Sequence, residues 1–148
     1  MPASFPHHYK SSVHWNGDAT CSLEAPPRAK ITGGAPPEFD GTDSVWSPEH
    51  LLLSSVGLCL MLTFKSIAKK SNLVIKHYKS ECTGTVDRGD GGLAVTAIHV
   101  HVDVTVADAD DVERVRPLLD TSKKYCLISN SLKAPVTLAA TVTAVSAD

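Results

Sequence analysis

The sequence predicts an α+β protein, with antiparallel sheets wrapped around one long central helix in a single domain covering residues 1–148. Three observations lead there. Residues 47–70 carry the one long helical pattern, and residues 51–64 are apolar almost all the way round, as in a helix enclosed by other elements. Ile98, Val100, Val102, Val104 and Val106 alternate with His99, His101, Asp103 and Thr105, the period of a strand with one buried face. The chain order is strands, long helix, long hairpin, helices, strand, and its length suits one core.

The elements follow in order. Residues 8–15 read as a first strand, which Asn16, Gly17 and Asp18 turn back onto residues 19–24. Pro26 and Pro27 interrupt that second strand. Residues 31–46, rich in Gly, Pro and Asp, read as a surface loop leading to the helix. Loops of this length are often functional. Ser47 suits the N-cap, Pro48 the first helical position and Glu49 the first turn, while Lys65, Lys69 and Lys70 return the helix to water. Residues 73–86 form a strand with Val74, Tyr78, Cys82 and Val86 on one face, and residues 88–92 turn it into the alternating strand. An acidic start at residues 108–116 opens a helix that Pro117 kinks or restarts, and residues 118–132 continue it with a break near Cys126. Residues 134–145 close as a strand, with Val136, Leu138, Ala140 and Val142 opposed to Thr137, Thr141 and Thr143.

Composition limits the function classes. With 43% hydrophobic and 20% charged residues the chain is ordinary for a globular protein. A net charge of -2 and scattered lysines point away from nucleic acid and anionic membranes, which need a concentrated positive patch. The opening MPASFPHHYK has no signal-peptide run, and the apolar stretch 51–64 is shorter than the roughly 20 residues that span a bilayer. The expected location is the cytoplasm. In that reducing compartment Cys21, Cys59, Cys82 and Cys126 are not a static disulfide framework, and no pair has C-x-x-C spacing.

Cys59 lies mid-helix, where core filler and nucleophile are both open readings. Cys126 lies in KKYCLISN at the helical break, where a thiol can be partly exposed. Cys82 is expected to be buried and inert. Cys21 is either a plain strand residue or an additional thiol. His99 and His101 share a strand face but lack the further ligands of a metal site. Gly33-Gly34 and Gly91-Gly92 do not open a helix after a strand, so no nucleotide cofactor is implied, and no G-x-S-x-G elbow marks a hydrolase.

Four pieces of the chain carry a resemblance. The run WSPEHLLLSSVGLCL, Trp46 to Leu60, has a Pro-Glu and a cysteine ten positions after the glutamate. His14 to Asp18, Glu38 to Gly41, and Ser122 to Leu132 accompany it in order. Together they resemble the osmotically induced protein C and organic hydroperoxide resistance family (OsmC/Ohr). The resemblance implies a thiol peroxidase of organic hydroperoxides: Cys59 attacks the O–O bond and Cys126 condenses with the resulting sulfenic acid to form a disulfide. It also implies an intertwined homodimer with two interface sites, recycled by an external dithiol reductant of lipoyl type with no bound cofactor. The apolar wall would include Leu52, Val56 and Phe64. Glu49 would hold an arginine from the first hairpin that keeps the nucleophile ionised. Where that arginine often falls this chain has Thr20 and Cys21, and Arg28 is the nearest arginine along the chain. The alternative is a non-catalytic dimer of the same fold that binds a small apolar ligand or senses redox state.

Overall fold

The computed structural model describes residues 4–146, so the first three residues of the opening segment and the last two of the chain lie outside the described residues. The chain forms two compact units, Met1–Leu51 and Leu52–Asp148.

The first unit holds a three-stranded antiparallel sheet in the order β1 (Ser12–Trp15), β2 (Thr20–Glu24) and β3 (Ile31–Gly34). Side chains build its first turn. The Asp18 carboxylate accepts from the Thr20 N–H and hydroxyl, both at 2.7 Å, and Trp15 Nε1 donates to the Asp18 carbonyl at 2.7 Å. Those Thr20 bonds hold the Asp18 carboxyl below its usual range, because they favour the charged form. β3 lies inside the stretch expected to be loop. Trp46 forms a parallel bridge to Gly33, with its carbonyl accepting from the Gly34 N–H at 2.9 Å. Between them a 3₁₀ turn, Pro37–Phe39, ends at Asp40 in the left-handed region, and Gly41 closes back onto Ala35. A Cβ on Gly41 would overlap the Ala35 carbonyl, so this return of the chain requires glycine.

Helix α1 runs Pro48–Lys70. Ser47 is the N-cap that its sequence suggests: its hydroxyl accepts from the His50 N–H at 3.1 Å, satisfying one of the free donors of the first turn. By length and composition α1 would suffice to cross a bilayer.

In the second unit one stripe of α1, made of Val56, Leu60, Phe64 and Ala68, is buried. It joins the inward row of β5 (Gly92–Val106) and Val115, Leu119 and Cys126 in one core cluster. Strand β4 (Ile75–Gly89) turns Tyr78, Ser80, Cys82 and Gly84 inward, and the small members let α1 approach closely. A Cβ on Gly57 would meet Cys82 Sγ at 2.9 Å. The opposite flank of α1 is open: Leu58 is 58% and Leu62 55% exposed, although the all-round apolar pattern predicts an enclosed helix.

The α+β class with antiparallel sheets and a long helix is the observed one. Within the second sheet β4 and β5 pair antiparallel, whereas β6 (Val136–Ala144) pairs parallel with β5. The chain between them forms α2 (Val112–Tyr125) and α3 (Leu127–Asn130), a crossover of the kind that parallel neighbours require. Pro117 sits within α2 without ending it. The outward face of this sheet engages its histidines: His99 Nδ1 lies 2.8 Å from the Thr137 hydroxyl and His101 Nε2 3.1 Å from that of Thr141.

Candidate functional site

The second unit brings two of the predicted site residues together. Cys59, half-buried on the flank of α1, neighbours the Cys126 thiol closely enough to bear on its ionisation. Cys126 is fully buried at the break between α2 and α3, in an extended conformation that ends one helix and starts the next. The Ser129 hydroxyl donates to its sulfur at 3.2 Å. Burial pushes the Cys126 thiol up, the Ser129 hydroxyl and N–H act in the opposite sense, and the neighbouring Cys59 pushes it up further. A thiolate buried beside another sulfur is costly unless donors face it. Disulfide exchange proceeds by attack of a thiolate on a second sulfur, a reaction open to neighbouring thiols.

Beside the pair Ser129 is a group that the sequence did not single out. Ser129 follows Cys126 by three positions, the spacing at which an N-cap side chain meets the third helical residue, and that spacing was the available signal. Tyr78 packs its ring against Phe64 at 5.8 Å between centroids. Its hydroxyl oxygen is sealed from solvent without a hydrogen bond, and burial pushes its pKa up to about 12. The Cys82 thiol, half-buried rather than enclosed, is also pushed up by burial.

The other predicted residues take different positions. Glu49 lies in the first turn of α1, and its Oε2 is buried with no hydrogen-bond partner among the described residues. Arg28 is exposed in the β2–β3 turn, its backbone N–H bonded to the Ala25 carbonyl at 3.1 Å and its guanidinium in no ion pair among the described residues. Val56 and Phe64, expected on an apolar wall beside the nucleophile, belong to the core stripe, and Leu52 is half-buried. Cys21 is half-buried on β2 and lines an apolar cavity of about 430 Å³ in the first unit with Val13, Leu23, Trp46 and Leu51. No cluster of three or more His, Cys, Asp or Glu side chains fit for a metal occurs among the described residues.

The OsmC-like protein family model matches residues 41–141, which include both cysteines and all of α1. The chain belongs to the OsmC-like protein family. An OsmC relative from Escherichia coli (strain K12), named a peroxiredoxin, is 24% identical over 136 residues, covering 88% of this chain and 94% of that one. Among solved structures, an OsmC-like protein of unknown function from Vibrio cholerae O1 biovar eltor superposes with a TM-score of 0.85 at 18% identity, covering 92% of this chain and 100% of that chain. An organic hydroperoxide resistance protein from Elizabethkingia anophelis has a TM-score of 0.71 at 13% identity, covering 95% of this chain and 99% of that chain. These likenesses extend the OsmC-like fold over nearly the whole chain.

Proposed function

We propose that this OsmC-like protein is a thiol-dependent peroxidase of organic hydroperoxides, acting in the cytoplasm through Cys59 and Cys126. One observation supports the reading: the two thiols are neighbours, and one is half-open while the other is sealed. The accessible sulfur suits attack on an incoming peroxide, and the sealed one suits the second step. Cys59 sulfur attacks the O–O bond, giving Cys59–SOH and an alcohol. Cys126 sulfur then displaces hydroxide from Cys59, forming the S–S bond and, with the thiol proton, water. An external dithiol, oxidised to its own disulfide, restores both thiols, and no bound cofactor takes part. The peroxiredoxin name of the Escherichia coli relative supports the reaction class, and the hydroperoxide resistance name of the Elizabethkingia anophelis protein supports the substrate.

The open flank of α1 carries Leu58 next to Cys59 and Leu62 three positions on. In a homodimer a second copy would cover this flank and supply an apolar wall for an alkyl group. Ten helical positions amount to about 15 Å of rise, so Glu49 would meet a Cys59 thiol only from another copy. Its unpartnered Oε2 is suited to a cation there.

The purified protein, given an organic hydroperoxide and dithiothreitol, is expected to consume the peroxide, and Cys59→Ser to abolish turnover. If the wild type and Cys59→Ser are equally inert, the reading fails. The absence of an arginine at Thr20 or Cys21 favours a second reading, a non-catalytic dimer that binds a small apolar ligand or senses redox state. The cavity beside Cys21 would then be the ligand site, and an apolar fluorescent probe would bind it without any peroxide consumption.

A further inference from the structure

On α1, Thr63, Ser66 and Lys70 stand four, seven and eleven positions after Cys59, offsets that keep side chains on one helical stripe. The stripe starts at the nucleophile and ends on a lysine. The Thr63 hydroxyl donates to the Cys59 carbonyl at 2.8 Å, and from Thr63 onward the stripe is the floor of a groove of about 580 Å³. Leu62 and Ile67 flank that floor, and Thr121 and Tyr125 of α2 make the facing wall.

The two ends of the groove differ in chemistry. Near Cys59 the exposed Leu62 and Tyr125 offer apolar surface that a hydrocarbon would cover. The Thr63 and Thr121 hydroxyls are already engaged by the Cys59 and Pro117 carbonyls. At the far end Lys70 is the one charged residue of the lining, and it pairs with no carboxylate among the described residues. A second cation stands close by, Lys124 Nζ lying 5.6 Å from the centre of the Tyr125 ring. An apolar trough with a cation at one end and no carboxylate complements a hydrocarbon chain that ends in an acid.

Length narrows the ligand further. Eleven helical positions rise about 16 Å, and a lysine stem leaning toward the helix N-terminus shortens the span. An extended chain advances about 1.2 Å per bond, as the backbone does. We propose that this groove holds the tail of the substrate and that Lys70 is its specificity-determining residue, selecting a long-chain hydroperoxide whose carboxylate lies about 10–13 bonds from the O–O group. The assignment rests on the peroxidase reading above.

The probe is decanoate, a carboxylate of nearly this length with no peroxide group. Calorimetric titration of the full-length reduced protein is expected to show binding, and bound decanoate is expected to slow alkylation of Cys59 by iodoacetamide. Lys70→Met keeps an apolar stem and removes the charge. It should raise the Kd for decanoate about fivefold, the upper range for an exposed ion pair, while decanol binds both proteins alike and Lys70→Arg restores the affinity. Ser66→Trp fills the groove from an exposed position and should abolish binding of both ligands. The proposal is overturned by a wild type that does not bind decanoate, by equal Kd values in wild type and Lys70→Met, by binding that survives Ser66→Trp, or by an alkylation rate that decanoate leaves unchanged. A failed peroxidase reading looks different: the wild type holds decanoate yet leaves a long-chain hydroperoxide intact. A failed tail site appears instead as consumption of that hydroperoxide with no preference for the acid over its methyl ester.

Discussion

Gly57→Ala tests the close approach of α1 to β4. In a helix interior the substitution alone gains about 1 kcal/mol from backbone propensity. The new Cβ would lie 2.9 Å from Cys82 Sγ, inside contact distance, and 3.6 Å from Ser80 Oγ, at ordinary contact. Forcing an extra carbon into a packed seam costs roughly 1–3 kcal/mol, so the single variant is expected to be destabilised by roughly 0–2 kcal/mol once the propensity gain is subtracted. Cys82→Ala removes the sulfur, and in that background Gly57→Ala should gain about 1 kcal/mol. Urea unfolding of the wild type, both single variants and the double variant, followed by circular dichroism at one fixed concentration, gives the coupling directly. A coupling within about 0.5 kcal/mol of zero would show that the sulfur does not limit the approach, and the packing argument would be wrong.

The first turn gives a pH prediction. The folded Asp18 carboxyl is held below its ordinary value of 3.8 by Thr20. Its contribution is therefore present above the unfolded value and is lost as pH falls through the lower folded value. Thr20→Val removes the hydroxyl bond, so the Asp18 NMR midpoint should move up toward 3.8 and acid unfolding should begin at higher pH; an unchanged midpoint refutes it. Leu62→Glu puts a carboxylate on the open flank of α1. Light scattering should find a dimeric wild type and a monomeric variant, because burying an unpaired carboxylate in an interface is strongly unfavourable; a wild type that is monomeric at the same concentration removes the dimer from the account.

Much of the fold is legible in the residues because local rules and tertiary packing agree. Ser47, Pro48 and Glu49 mark the start of α1, and the observed cap bond falls where they indicate. The valines of β5 and the break at Cys126 were equally readable. β3 was hidden because Ile31–Gly34 has the composition of a loop, and what makes it a strand is pairing with β2 and the bridge to Trp46. The direction of β6 was hidden too, since alternation is the same in parallel and antiparallel pairs and only the crossover through α2 fixes it. The apolar pattern in α1 runs all the way round, so Leu58 and Leu62 read as enclosed, whereas both stand exposed. Cys59 and Cys126 come from separate elements, and no spacing could make them neighbours. Their proximity follows from the packing of α1 with α2 and the β5 valines into one core.

The most direct measurement of the central claim is a disulfide map. Fully reduced protein treated with one equivalent of an organic hydroperoxide, quenched with an alkylating agent and digested, is predicted to yield a Cys59–Cys126 cross-linked peptide as the main oxidised product. Cys59→Ser should yield none. Contradiction would be a wild type in which the peroxide persists and both thiols remain alkylatable, or in which Cys59 advances to the sulfinic acid while Cys126 stays reduced.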